Sequence, residues 1–247
     1  MTTHRDKKPA KAAPARKKRG ALMVHERLRD AIQWLRIEPG TALDEVALAK
    51  EYEVSRTPIR EALLLLANEG FVQFLQNRTT IVAPLSLHNQ AAFLDTFILL
   101  SRGLVRAAAL NGGADRKEFD AFVKAYGAKL EEGDLEAAFR AQLDLYRRVA
   151  TLADNRFLEK YFVEAQDASV RIKLLYFFPH LDAAGRAKAI DHLAKVADAI
   201  VTGDAEGADA AVSRAILFEL EVIQRGLGPR FGHRMSLDPG GPEAGDD

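Results

Sequence analysis

The chain has 247 residues, 48% of them apolar and 28% charged, which is enough for two domains of ordinary size with cores of their own. It contains no cysteine, so disulfides and thiolate metal centres are excluded. Thirty-five basic side chains balance 35 acidic ones, yet residues 1–20 hold eight Lys/Arg against one Asp, leaving the remainder acidic.

That opening stretch, MTTHRDKKPAKAAPARKKRG, lacks the apolar centre of a secretory signal, and no apolar run further on is long enough to span a bilayer. A cytoplasmic location is the expectation. Residues 1–20 read as a disordered basic arm, either a solubilising tail or a phosphate-seeking extension with salt-sensitive affinity for DNA.

From Ala21 the pattern turns helical, with Leu22, Leu28, Ala31, Ile32 and Leu35 expected on one face and a stop before Pro39-Gly40. A short helix over roughly Asp44–Tyr52 follows. Ser55 is placed to cap a third helix that carries Pro58 in its first turn and the leucine run 63–66 on its inner face. It ends near Gly70, and FVQFLQNRTTIVAP reads as two short strands around Gln76-Asn77-Arg78. Three helices and a hairpin define a winged helix-turn-helix over 21–83. Residues 84–87 form a linker, with Ser86 capping the next helix.

The rest is helical, with helices near 87–110, 115–131, 134–152, 155–177, 184–202 and 205–226. Short breaks separate them, so the expected fold is an all-α antiparallel bundle over 88–228. Residues 229–247 form a second disordered tail. The fold class is therefore mainly α, a winged helix-turn-helix followed by a helical bundle.

In such a head the N-terminal residues of the second helix-turn-helix helix enter the major groove. Here these are Ser55, Arg56, Thr57 and Arg60. The two arginines stand one turn apart on one face, suited to guanine edges or phosphates. The same arginines could instead solvate an exposed face by pairing with Glu53 or Glu61.

The order Pro39-Gly40, Leu43, Leu48-Ala49, Val54-Ser55-Arg56-Thr57-Pro58-Ile59-Arg60-Glu61-Ala62-Leu63, Leu66, Glu69-Gly70-Phe71-Val72 resembles the DNA-binding domain of GntR-family transcription regulators. The resemblance spans 22–83. It implies a homodimeric regulator on a near-palindromic operator, with DNA contacts from Ser55, Arg56, Thr57 and Arg60 and from the wing residues Asn77 and Arg78. Three positions depart from the family. Leu35 and Glu53 stand where glycine is usual, and the wing has Arg78-Thr79-Thr80 in place of its glycine.

The second half resembles the FCD domain of the FadR-like branch through Leu143, Tyr146-Arg147, Ala150, Asp154-Asn155 and Leu158, then Asp191-His192, Ile200, Gly203-Asp204-Ala205 and Ala208. Many members of that branch hold a divalent metal with an Asp and three His. Mapped here, those places fall on Gln142, Tyr146, His192 and Arg214, and only His192 is retained. The resemblance therefore implies no metal or other cofactor.

Two readings of the four residues stay open. They close an old metal hole as core polar groups, with Arg214 supplying the cation's charge, or they orient an anionic effector such as a carboxylate. A bundle that only dimerises, or that keeps a metal, is the alternative. No HExxH, paired-carboxylate or Gly-rich phosphate motif is present, so an enzyme is not expected.

Overall fold

The computed structural model describes residues 14–77, 79–85 and 90–227. The arm up to residue 13, Arg78, the helix cap expected at Ser86 and the tail 229–247 lie outside them.

The first helix, α1 (Pro14–Gln33), begins seven residues before the expected start and takes in the last part of the basic arm. Proline opens it, where a missing N–H costs nothing, and the Ala, Arg and Lys after it are good helix formers. Its buried stripe is Val24, Leu28 and Ile32, spaced four apart, whereas Leu22, expected on that face, is exposed. The second helix, α2 (Glu45–Glu51), starts at Asp44, whose carboxylate accepts from the N–H groups of Val46 and Ala47. The third, α3 (Arg56–Asn68), buries Ile59, Ala62, Leu63 and Leu66 against α1. Leu64 and Leu65 are exposed. At 100° per residue, four consecutive leucines cannot all face one core, so only half of the run 63–66 serves it.

Strands β1 (Val72–Phe74) and β2 (Thr80–Val82) form the expected antiparallel hairpin, with Gln73 opposite Ile81. Residues 40–43 line its other edge through Gly40 N–H to Val82 O and Leu43 N–H to Thr80 O.

The two departures from glycine carry a backbone cost. Leu35 sits at φ +58° and Glu53 at φ +53°, a region where a side chain costs about 1–2 kcal/mol. Glu53→Gly should therefore stabilise the head by about 1 kcal/mol, allowing for glycine's freedom when unfolded. A denaturation midpoint that does not rise would show that this turn relaxes around Glu53.

The second half is a bundle of six α-helices, named in chain order α4 (Gln90–Asn111), α5 (Arg116–Glu132), α6 (Leu135–Leu152), α7 (Arg156–Ile172), α8 (Ala183–Val201) and α9 (Ala205–Leu227). Asp115, Asp134, Asn155 and Asp182 each cap a helix N-terminus with a side-chain oxygen, which explains the sharp boundaries. The expected single helix over 155–177 divides. After Ile172 the chain widens into a π-turn, Lys173–Phe177, and then a 3₁₀ turn, Phe178–His180. Pro179, lacking an N–H, enforces the exit.

Head and bundle share a junction. Trp34, just past α1, is buried in the bundle core against Phe139, at 6.0 Å between ring centroids, and the Arg140 guanidinium lies 3.8 Å from its ring. On another side, Phe71 of the head lies between two guanidiniums, Arg29 at 5.3 Å and Arg171 at 5.0 Å. Arg171 also donates to the Ala83 carbonyl at 3.1 Å, and Arg29 reaches Asp167 of α7 at 3.2 Å.

Candidate nucleic-acid interface and bundle site

The start of α3 presents Ser55, Arg56, Thr57 and Arg60 to solvent together. Ser55 occupies the cap position with extended backbone (φ −74°, ψ 167°), but its hydroxyl makes no capping bond. A hydroxyl not engaged in the cap is free for a phosphate or base. Pro58 and Ile59 turn inward and fix the rotation of the helix.

The arginines do not pair with Glu53 or Glu61. Both converge on one carboxylate oxygen of Glu45, Arg56 Nη2 at 3.1 Å and Arg60 Nε at 2.8 Å. Glu45 stands in the first turn of α2, so helix-turn-helix packing brings it against the exposed start of α3. Burial pushes its carboxyl up, but hydrogen bonds and charge from Arg60 and Arg56 outweigh this and hold it below the ordinary carboxylate value. A lowered folded pKa means the pairing contributes above the ordinary carboxylate pKa and fades as pH falls through the folded value. With both guanidiniums more than half exposed, that contribution is small. The greater effect is on position, because Glu45 holds two cations in register one turn apart. Glu45→Gln should strengthen binding to unrelated duplex and narrow the ratio between specific and non-specific affinity. Fluorescence anisotropy with a selected and a scrambled duplex measures this, and an unchanged ratio would remove the positioning role.

On the wing, Asn77 is exposed and its carbonyl oxygen accepts from the Thr79 N–H at 3.0 Å. The side chain thus closes the turn that glycine would otherwise make, leaving its NH₂ outward. Arg78 lies outside the described residues.

In the bundle, Gln142 and Tyr146 of α6 and His192 of α8 come together, lining one small space with Phe218 and Glu219 of α9. Arg214 does not join them. It is exposed on α9, whose inward register here is carried by Ala215, Phe218 and Glu219. The cation inside the bundle is instead Lys173, on the π-turn, whose Nζ lies 2.8 Å from Glu219 Oε2 with both side chains buried. Gln142 Nε2 donates to the other Glu219 oxygen at 3.3 Å.

Sequence reasoning missed Glu45, Lys173 and Glu219. The last two had a legible signal, since each is a lone charge inside an apolar run, Ile172-Lys173-Leu174-Leu175 and Phe218-Glu219-Leu220.

The space beside His192 measures only about 10 Å³, room for one water at most. Neither ring nitrogen of His192 nor Gln142 Oε1 has a protein partner among the described residues. Burial, reinforced by the Lys188 charge, lowers the His192 pKa and keeps the ring neutral. Burial and the Glu219 charge raise that of Tyr146, so its phenol stays protonated.

This donor set does not fit a divalent metal. It offers one imidazole, an amide, a phenol that does not ionise and a carboxylate already neutralised by an ammonium. Among the described residues no group of three or more His, Cys, Asp or Glu is placed to hold one. Nor is any described helix long and apolar enough to cross a membrane.

Residues 21–82 match the family model described as "Bacterial regulatory proteins, gntR family", and residues 93–217, just over half of the chain, match "FCD domain". The "Nta operon transcriptional regulator" of Aminobacter aminovorans is 30% identical over 124 residues, 49% of this chain and 58% of that protein. The "Gluconate operon transcriptional repressor" of Bacillus subtilis (strain 168) is 41% identical over 64 residues, 26% of each chain. The chain thus aligns with between a quarter and three fifths of the length of these curated relatives. Among solved structures, E. coli McbR/YncC superposes with a TM-score of 0.71 at 17% identity, over 84% of this chain and 98% of that one, a likeness of fold. With a matched head, a matched bundle and the same fold, the chain belongs to the GntR family of bacterial regulatory proteins and carries an FCD domain.

Proposed function

We propose that this chain is a sequence-specific DNA-binding transcription regulator, a repressor acting as a homodimer in the cytoplasm on a near-palindromic operator. We further propose that a small anionic organic effector, a carboxylate, bound in the bundle sets its operator affinity without a metal or other cofactor and without catalysis. The observation that carries the DNA half is the paired display of Arg56 and Arg60 at the start of α3, held by Glu45 and flanked by exposed Ser55 and Thr57. A two-fold dimer would place two such helices in successive major grooves, hence the symmetry of the operator.

The effector half rests on linkage. A ligand that changes operator affinity must bind the DNA-competent and incompetent arrangements of the protein unequally. The junction at Trp34, Phe71 and Arg171 is the contact through which such a difference can reach the head.

The test is a selection from random duplex pools, then titration of the enriched sequence with and without candidate carboxylates. Enrichment of an inverted repeat, and a shift in its affinity on adding a bound acid, are expected. A selection that enriches no sequence would remove the regulator reading. Unchanged operator affinity with an acid demonstrably bound would reduce the bundle to dimerisation, a reading favoured so far only by the tight packing around His192.

A further inference from the structure

Beside the tightly packed Gln142–Tyr146–His192 cluster lies a larger space. A cavity of about 210 Å³ lies between α4, α7 and α9, walled by Phe93, Phe97, Ile216 and Ile223, with Lys173 and Glu219 also lining it. We propose that this cavity, rather than the His192 cluster, is the effector site, and that it takes a monocarboxylic acid with an apolar body, its carboxylate on Lys173. The inference rests on the regulator reading above and names its ligand class and place.

Size sets the first limit. A dry cavity of ~150 Å³ holds benzene, so this one suits an aliphatic or aromatic body of about six to eight carbons. The walls supply apolar contact and the two charged residues the orienting polar group, the usual division of labour in a small-molecule site.

Hydrogen-bond capacity decides the sign of the ligand. An ammonium carries three N–H donors, and Lys173 directs one at Glu219, while the Phe97 and Phe139 rings lie 5.6 and 5.4 Å away. Glu219 is better satisfied, with Lys173 on one oxygen and Gln142 on the other. A ligand carboxylate therefore finds donors still to be used on Lys173, whereas a ligand amine meets an acceptor already engaged at both oxygens and a cation beside it.

Position makes the site an effector site. Lys173 opens the π-turn, a local widening frequent at functional positions. Ile172, which also lines the cavity, separates it from Arg171, which holds the head through Ala83 O and Phe71. A carboxylate that draws Lys173 away from Glu219 acts two residues from the guanidinium that grips the head.

The probes are octanoate, octanol and octylamine, titrated calorimetrically into the full chain. Octanoate should bind, octanol should bind at least ten-fold more weakly, and octylamine should not bind. Lys173→Met should weaken octanoate ten-fold or more, whereas Glu219→Gln, which removes the competitor for the ammonium, should tighten it. Leu220→Trp, filling the cavity from a half-buried wall, should abolish binding, and His192→Phe should leave it unchanged. Octylamine binding as tightly as octanoate, or loss in His192→Phe with Leu220→Trp unaffected, overturns the site. A wild-type chain that selects a DNA sequence but binds no octanoate overturns this proposal alone. One that binds octanoate but selects no sequence overturns the regulator reading and, with it, the effector role.

Discussion

Arg56→Ala and Arg60→Ala should each weaken binding to a selected operator by about five- to 150-fold, the effect of losing ~1–3 kcal/mol per good base contact. Both side chains are exposed and their only described partner is Glu45, so neither change opens the core. Thermal unfolding and circular dichroism should stay near wild type. The double variant should retain only weak, sequence-independent affinity. If one arginine meets a phosphate, its loss lowers affinity for all duplexes alike and flattens the salt dependence by about one counterion. Titrating both variants against operator and scrambled duplex at two salt concentrations separates the roles. Wild-type operator affinity in both variants would dismiss α3 as the reading helix.

Trp34→Ala should cost about 3–5 kcal/mol, the range for removing a large aromatic from a packed core. The indole is buried in the bundle core although the residue directly succeeds the head's first helix, and it packs on Phe139 beneath the Arg140 guanidinium. Trp34→Phe should cost less, since it keeps an aromatic at the contact. Because this is the sole tryptophan, the emission of the native chain reports the junction directly. Chemical denaturation of the three proteins measures the cost. A loss under about 1 kcal/mol for Trp34→Ala would mean that the indole is not an anchor.

How much of this was legible in the sequence depends on whether the cause was local. Apart from the divided segment 155–177, helix boundaries in the bundle fall within a few residues of expectation because their causes lie in adjacent residues, as with the Asp and Asn caps and the breaks at Gly133 and Gly203. The positive φ at Glu53 obeys the same logic, since glycine is usual in that turn, whereas Leu35, expected on the face of the first helix, lies beyond its end at Gln33 with a positive φ of its own. What was lost depends on register between distant elements. A shift of one position on α9 separates exposed Arg214 from inward Ala215, too fine for sequence mapping across a loosely matched helix. Glu45 was missed because its partners lie 11 and 15 residues away across a turn, and Lys173 because the widened turn alters the helical period that sequence reading relies on. The exposed Leu64 and Leu65 show the reverse error, apolar identity taken for burial without checking the angle each residue presents.

The placement of Trp34 bears on how the molecule comes apart. α1 contributes its Val24–Leu28–Ile32 stripe to one core, while the residue after it completes another. Cutting at the linker therefore leaves the head with a bare indole and the bundle with an indole-sized hole. The two halves, although separate in sequence, should melt together, and calorimetry should record a single transition; two resolved transitions would show that the Trp34 contact does not couple them.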